Sequence, residues 1–212
     1  SKVCRFGRRP MKIDIQDVLF WMDAIRNSDD SYRTLESFWK GQVNSKLWLV
    51  EQLALARRTE YTQHTITIHG GWHGVLASLL FSSDIPILHI TSVDIDPTCE
   101  PIAYTMNKRQ EIDNKFVAVT EDMCKFRYFS DIVINTSCEH ITQEDYDKWL
   151  DNVPTDAQIV LQSNNYFDHE EHIRCSTDLD DFVKMSNIHV QYKGELKTPK
   201  YTRYMIIGQK YE

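Results

Sequence analysis

The spacing of apolar residues differs on the two sides of residue 65. Before it, the pattern is helical, because in 13–26 apolar residues recur every three or four positions and form one stripe. These residues are Ile15, Val18, Leu19, Met22 and Ile25. A second helix is predicted over 45–58, where Leu47, Val50, Leu53 and Leu55 alternate with polar residues.

After residue 65, short apolar runs alternate with helical segments such as 75–81, which is typical of βαβ units in a parallel sheet. Strands are predicted at 65–69, 87–94, 116–119, 131–135 and 157–163. The last two runs, 188–195 and 201–208, are joined by a few residues that include Pro199. So short a link permits an antiparallel hairpin and excludes a helical crossover.

Capping boxes predict where two later helices begin. Thr142 with Asp145, and Thr177 with Asp180, have the spacing at which an N-cap side chain and an acidic side chain satisfy each other's backbone N–H groups.

Composition and charge narrow the class of protein. With 42% hydrophobic and 26% charged residues, the chain has the makings of an ordinary globular core. Its longest apolar runs are far shorter than the roughly 20 residues that span a bilayer, so we expect no membrane span. The net charge of -7 gives no general attraction for nucleic acid, and only the basic arm over 1–12 offers a local patch.

The five cysteines include no CxxC pair and are odd in number. This usage predicts a reducing compartment, hence the cytoplasm, without a zinc site. His69 and His73 also lack a carboxylate or cysteine at ligand spacing, so we expect no metal.

A glycine turn is the strongest chemical signal. The predicted strand over 65–69 runs into Gly70, Gly71, Trp72, His73 and Gly74 and then into an apolar helix. Glycines permit a tight turn and let a ligand approach the backbone.

The next strand ends at Asp94, 24 residues after Gly70, which is the spacing at which an acid accepts hydrogen bonds from ribose hydroxyls. Helix capping before Pro97 is the alternative for Asp94 and Asp96, and we assign it to Asp96.

With these residues, the segment 65–209 resembles the class I S-adenosylmethionine-dependent methyltransferases. The resemblance implies a Rossmann-like α/β fold: a mostly parallel seven-stranded sheet with an antiparallel C-terminal strand, helices on both faces and an N-terminal helical extension. It divides the chain into a basic arm and helical extension over 1–60 and a cofactor-binding domain over 61–212. NAD-binding Rossmann domains usually continue parallel, so the terminal hairpin disfavours an NAD-type oxidoreductase.

The resemblance also implies the cofactor contacts. S-adenosylmethionine would lie against residues of the turn, the ends of the next two strands and the start of the loop after the fourth strand: Gly70, Gly71, Trp72, Gly74, Asp94, Ile95, Asp122, Met123 and Asn135. Two positions depart from the family's pattern, since Trp72 replaces its middle glycine and Ile68 the acid that often precedes the turn. Trp72 either shields the cationic sulfonium through a cation–π contact or packs on the N-terminal helices.

Loop residues at the carboxyl ends of the strands supply the expected chemistry. Glu139 and His140, in a loop like that of many small-molecule methyltransferases, are predicted to orient or deprotonate the acceptor. The alternative for Glu139 is a charge interaction with the N-terminus of the following helix. Acceptor contacts are predicted for five residues from that edge and the N-terminal extension: Trp39, Lys46, Asn164, Asn165 and Tyr166. Trp48 is expected to dock the helices on the sheet.

The predicted function is methyl transfer by in-line displacement to a small-molecule or amino-type acceptor. A catalytically silent binding or assembly module with the same fold is the alternative.

Overall fold

A computed structural model describes residues 11–57, 62–125, 127 and 129–211. The predicted basic arm lies outside them except for Met11 and Lys12, and the predicted domain boundary falls at 58–61, also outside them.

Seven strands form one sheet, in the order β3-β2-β1-β4-β5-β7-β6. They are β1 (His64–His69), β2 (Ile87–Asp94), β3 (Phe116–Thr120), β4 (Ile132–Asn135), β5 (Gln158–Asn164), β6 (His189–Lys197) and β7 (Thr202–Gln209). The strands β1 to β5 are mutually parallel, and β7 is antiparallel to both of its neighbours. The predicted fold class, including the terminal hairpin, is confirmed.

Helices lie on both faces of the sheet and before it. They are α1 (Ile15–Asn27), α2 (Ser31–Glu36), α3 (Lys40–Ala56), α4 (Val75–Phe81), α5 (Cys99–Met106), α6 (Lys108–Ile112), α7 (Gln143–Asn152) and α8 (Leu179–Ser186). No helix in these described ranges has both the length and the apolarity to cross a bilayer.

The N-terminal extension contains more helix than its pattern predicted. Helix α3 begins at Lys40, whereas the pattern predicted a start at residue 45. The first turn was missed because it is mostly polar and shows no apolar stripe. The six-residue helix α2 was missed altogether. It is too short for a periodic signal and is set by a cap, in which the Asp30 carboxylate accepts from the Arg33 N–H at 2.8 Å.

One of the two predicted N-caps is confirmed and the other is displaced by one residue. The Thr142 hydroxyl accepts from the Asp145 N–H at 3.0 Å and begins α7. At α8, however, the N-cap is Asp178, which accepts from the Asp181 N–H at 2.8 Å. The Asp181 carboxylate in turn accepts from the Thr177 N–H at 2.9 Å, so the reciprocal pattern remains but Thr177 precedes the cap.

The sheet is buried between two apolar clusters. Alternate residues of one strand face opposite sides, since Val160 belongs to the first cluster while Ile159 and Leu161 belong to the second. The first cluster also contains Leu49 and Leu53 of α3. The N-terminal helices and the sheet therefore share a core. Ser45 of α3 bonds to Gln162 near the carboxyl end of β5, while Arg57 after α3 bonds to Gln158 at the start of that strand.

Candidate functional site

The turn between β1 and α4 packs tightly against its neighbours. Gly70 and Gly74 have φ angles of 65° and 79°, in the region that favours glycine. A β-carbon on Gly70 would overlap the Ser137 side chain after β4, and one on Gly71 would overlap Ser92 of β2. All three glycines are thus required by local geometry, and they place the turn between the ends of β2 and β4.

Trp72, at the position of the family's middle glycine, has a glycine-like backbone with φ of 47°. A left-handed conformation costs a bulky residue roughly 1–2 kcal/mol. The Asp94 carboxylate offsets part of that cost, because its Oδ2 accepts from the Trp72 N–H at 2.8 Å. The indole stacks on His73 with ring centroids 4.9 Å apart.

Asp94 retains capacity for a ligand. Its Oδ1 accepts from the Asp96 N–H at 3.1 Å, so two of about four lone-pair sites are used. The adjacent cleft is lined by small apolar side chains, among them Ala103, Ala118 and Val119. Ile95 is 71% exposed at the rim of this region.

Asp96 has a structural role. Its carboxylate accepts from the Thr98 hydroxyl and N–H at 2.7 and 2.9 Å, and it forms a 2.6 Å ion pair with Arg33 of α2. The hydrogen bonds from Thr98 lower the pKa of Asp96 to about 2. The N-cap of α5 is Thr98, so Asp96 does not cap the helix as expected but fixes the turn before it.

Asp122, Met123 and Asn135 come together at the ends of β3 and β4. The Asp122 carboxylate accepts from the Cys124 N–H at 3.0 Å, which is the main cause of its lowered pKa. The buried Asn135 amide accepts from the Ser137 N–H at 2.9 Å and lies 3.6 Å from the Met123 sulfur. These polar groups shape the two loops while remaining at the ligand-binding edge.

Glu139 is 2% exposed in a 3₁₀ turn, Cys138–His140, directly after β4. Its Oε1 accepts from the Asn164 amide at 2.7 Å and forms an ion pair with Arg203. Its Oε2 is buried without a hydrogen-bond partner among the described residues. The helix-terminus alternative does not describe this carboxylate, because Thr142 caps α7 while Glu139 turns to Arg203.

Arg203 is the residue of this candidate site that the sequence did not single out. It lies in β7 opposite Asn164, and it also donates to the Thr136 carbonyl at 2.6 Å. An arginine near the start of the predicted apolar strand over 201–208 was the available signal. Its partner Glu139 is 64 residues away in sequence, so the pairing had no local signature.

Lys46 connects the helical extension to this site. It is 9% exposed, its Nζ lies 2.9 Å from the Gln42 amide oxygen, and it approaches the Trp72 ring to 6.0 Å from the centroid. Burial lowers the pKa of Lys46 to about 7, and the charge of Arg203 acts in the same direction. The predicted acceptor residue Lys46 thus faces the predicted cofactor residue Trp72.

Among the other residues predicted to bind the acceptor, two present aromatic rings. Tyr166 stacks on Tyr201 with centroids 5.7 Å apart, and Trp39 is 66% exposed. Trp39 and Tyr201 both flank Gly41, within 4 Å of where its β-carbon would lie. Together they form an aromatic row along the edge of the site.

The two asparagine side chains have protein partners instead. Asn164 donates to Glu139, and its oxygen accepts from the Tyr166 N–H at 2.9 Å. The Asn165 oxygen accepts from the Thr202 N–H at 2.7 Å, which secures the start of β7. Both amides therefore support the edge on which Tyr166 lies.

The residues that flank the turn are held by packing. His69 accepts from the Trp149 indole at 3.0 Å, and burial lowers its pKa to about 3. Burial also lowers the pKa of His73 to about 4, beneath Trp72. Trp48 packs beside Gly194 on β6, in line with its expected docking role.

No protein-family model matches this chain, and no curated protein matches it either. Many solved structures do. The N-methyltransferase NodS from Bradyrhizobium japonicum WM9 has a TM-score of 0.62 at 10% identity, over 82% of this chain and 99% of NodS.

Magnesium protoporphyrin IX methyltransferase from Synechocystis PCC 6803, with bound SAH, has a TM-score of 0.62 at 13% identity, over 92% of this chain and 94% of that chain. Geranyl diphosphate methyltransferase, in complex with GPP and sinefungin, has a TM-score of 0.62 at 10% identity, over 80% and 79%. At such identities the likeness shows the fold, which is that of the class I methyltransferases, as the sequence predicted.

The low pKa of Lys46 makes stability depend on pH. Between pH 7 and the ordinary lysine pKa near 10.4, the unfolded chain binds more protons than the folded one, so stability rises with pH by about 1.4 kcal/mol per unit. Lys46→Met removes this dependence. We expect its unfolding free energy, relative to the wild type, to fall by roughly 3 kcal/mol between pH 7.5 and 9.5.

Urea unfolding at both pH values measures this difference, and Lys184→Met, at an exposed lysine, is the matched control. If the unfolding free energy of Lys46→Met relative to the wild type were the same at both pH values, the lowered pKa of Lys46 would be contradicted.

The ion pair between Glu139 and Arg203 predicts a strong coupling. Removing one partner of a buried pair leaves an uncompensated charge and costs about 3–5 kcal/mol, whereas replacing both partners leaves no charge unpaired. We expect Glu139→Gln and Arg203→Gln each to destabilise by that amount, and the double variant to be more stable than either. A double-mutant cycle in urea tests it, and additive losses would show that the pair is not coupled.

Proposed function

We propose that this chain binds S-adenosylmethionine and transfers its methyl group to a small-molecule or amino-type acceptor. The observation that supports this most directly is the placement of two carboxylates, in different surroundings, at one edge of the sheet. Asp94, with free lone pairs, lies at the turn, and the Glu139 carboxylate follows the neighbouring strand β4. Such an edge is where ligands bind in open α/β sheets.

The residues at the turn fit this cofactor. Asp94 has lone pairs for both ribose hydroxyls, and the cleft beside it offers an apolar floor at Ala118 and Val119. When bound, the cofactor would supply an activated methyl group. The lone pair of the acceptor atom would form the new bond to the methyl carbon while the carbon–sulfur bond breaks and its electrons return to sulfur.

The acceptor side brings together two buried ionisable groups, Glu139 and Lys46, and partly exposed aromatic side chains. The Glu139 Oε2, which has no protein partner in the described part of the chain, can accept a hydrogen bond from an N–H or O–H of the acceptor and orient it. Lys46 is available in the neutral form near pH 7 and can take a proton from a protonated acceptor. The aromatic row that includes Trp39 and Tyr166 supports contact with a planar or cationic group.

A reducing, cytoplasmic setting is supported by the free thiols of the four described cysteines, Cys99, Cys124, Cys138 and Cys175. A nucleic-acid partner is supported by nothing beyond the basic arm, which lies almost wholly outside the described residues.

The cofactor proposal is tested by calorimetry with S-adenosylhomocysteine and NAD. We expect S-adenosylhomocysteine to bind and NAD not to bind. Asp94→Ala should weaken the binding by about 1.5–3 kcal/mol, the range for hydrogen bonds to a charged group. Asp180→Ala, at an exposed carboxylate far from the turn, is the control. Tighter binding of NAD, or unchanged affinity in Asp94→Ala, would overturn the assignment of this site.

The transfer step is tested with the charge-balanced variant Glu139→Gln/Arg203→Gln, because Glu139→Gln alone leaves Arg203 unpaired. Once a screen of amines, amino acids, nucleotides and peptides identifies an acceptor, we expect this variant to keep its S-adenosylhomocysteine affinity and lose at least about tenfold in turnover. Full turnover would remove Glu139 from the mechanism. Cofactor binding with no turnover on any acceptor class would favour the silent binding module.

A further inference from the structure

A carboxylate and two histidines meet beside the acceptor side of the site. One ligand atom each from Glu139, His140 and His172 lies within 4.8 Å of the others. His172 comes from the segment after β5, so this grouping had no spacing signal, and the sequence predicted no metal. The ring centroids of His140 and His172 are 4.8 Å apart and the ring planes are nearly perpendicular, so neither ring covers the face of the other.

The tautomer of His172 is suited to bind a cation. Its Nδ1 lies 2.8 Å from the Tyr166 carbonyl, so Nδ1 carries the proton and Nε2 carries the lone pair. Histidine ligands of metals are commonly oriented by such a backbone carbonyl. His169 stacks on His172, but its Nδ1 already accepts from the Glu171 N–H at 3.3 Å. His169 is not in the group whose ligand atoms lie within 4.8 Å of one another.

The buried Glu139 carboxylate is a second, independent observation that points to a bound cation. Glu139 is 2% exposed, and its Oε2 has no hydrogen-bond partner among the described residues. A buried, unpartnered carboxylate oxygen is costly unless a donor or a cation satisfies it. Arg203 and Asn164 bind Oε1, so Oε2 remains for a third partner.

We infer that Glu139, His140 and His172 form a binding site for a divalent first-row transition-metal cation. Two imidazole nitrogens and one carboxylate oxygen are a ligand set that zinc and non-haem iron(II) share. Ligand atoms about 2.1 Å from one tetrahedral ion lie about 3.4 Å apart, so a pair of the trio now separated by as much as 4.8 Å must approach by about 1.4 Å. The exposed side chain of His140 can make this movement.

The surroundings favour a cation. The segment after β5 carries Asp168, Glu170 and Glu171, all exposed, within four residues of His172. Arg203 pairs with Glu139, so this pair carries little net charge and the exposed acids supply the negative charge near the trio. The set of three protein ligands leaves a coordination position open, as in catalytic zinc sites.

The open coordination position also narrows the chemical class of the acceptor. This step rests on the proposed methyl transfer. With the Glu139 Oε2 on the cation, the cation itself would orient the acceptor, whose oxygen or nitrogen atom would bind it next to the aromatic row. A chelating hydroxyl or amino compound is the acceptor class that this geometry fits.

The test uses purified protein without a histidine tag, stripped with a chelator and titrated with Co²⁺, whose visible absorption reports on its ligands, followed by competition with Zn²⁺. We expect saturable binding of one ion per chain. His140→Ala and His172→Asn should each raise the Kd at least about tenfold. The asparagine can still donate to the Tyr166 carbonyl, so His172→Asn retains the local fold. His189→Asn, at an exposed histidine of β6, should leave the Kd unchanged.

Absence of saturable Co²⁺ binding in the wild type, or equal affinity in His140→Ala and His172→Asn, would overturn the inference. Calorimetry with S-adenosylhomocysteine on the same preparations separates the two proposals. Nucleoside binding without Co²⁺ binding removes only the metal site, and Co²⁺ binding without nucleoside binding removes only methyl transfer.

Discussion

The buried ion pair between Glu139 and Arg203 is the constraint on which the acceptor edge depends. It joins the loop after β4 to strand β7, and Asn164 at the end of β5 donates to the same carboxylate. The Glu139 backbone carbonyl also receives the N–H groups of Ile173 and Arg174, at 2.9 and 3.0 Å. Since an unpaired buried charge costs several kcal/mol, none of these segments can shift without the others. Four stretches of chain are thereby held in one geometry.

The glycine turn, where the cofactor is proposed to bind, depends on a hydrogen bond to a second carboxylate. Asp94 holds the backbone of Trp72 in a left-handed conformation, and it retains lone pairs for a ligand. Strained residues persist where their surroundings over-determine them, and such places are often functional sites. The ring held in this way faces Lys46 of the N-terminal extension. The extension thus belongs to the site, because α3 shares its core with the sheet.

The parallel strands, the terminal hairpin and the positions of the glycine turn and Asp94 could be read from the sequence, whereas the order of the strands was not predicted. Each prediction depends on a local pattern: short apolar runs between helical segments, short links that exclude a crossover, and a fixed spacing between a turn and the next strand end. The missed helix α2 and the displaced cap at Asp178 mark the limit of such patterns. Over one helical turn, neighbouring polar residues compete for the same backbone groups, and sequence alone does not rank them.

The sequence by itself therefore determined the fold class and indicated which edge of the sheet forms the candidate site, and it singled out Glu139, Lys46 and Asp94 by type and position. Only the tertiary structure decided which groups these residues meet. Arg203, the low pKa of Lys46 and the meeting of Glu139 with His172 all result from contacts between segments far apart in the chain. Burial and charge pairing act through space, so they have no period or spacing along the sequence from which they could be predicted.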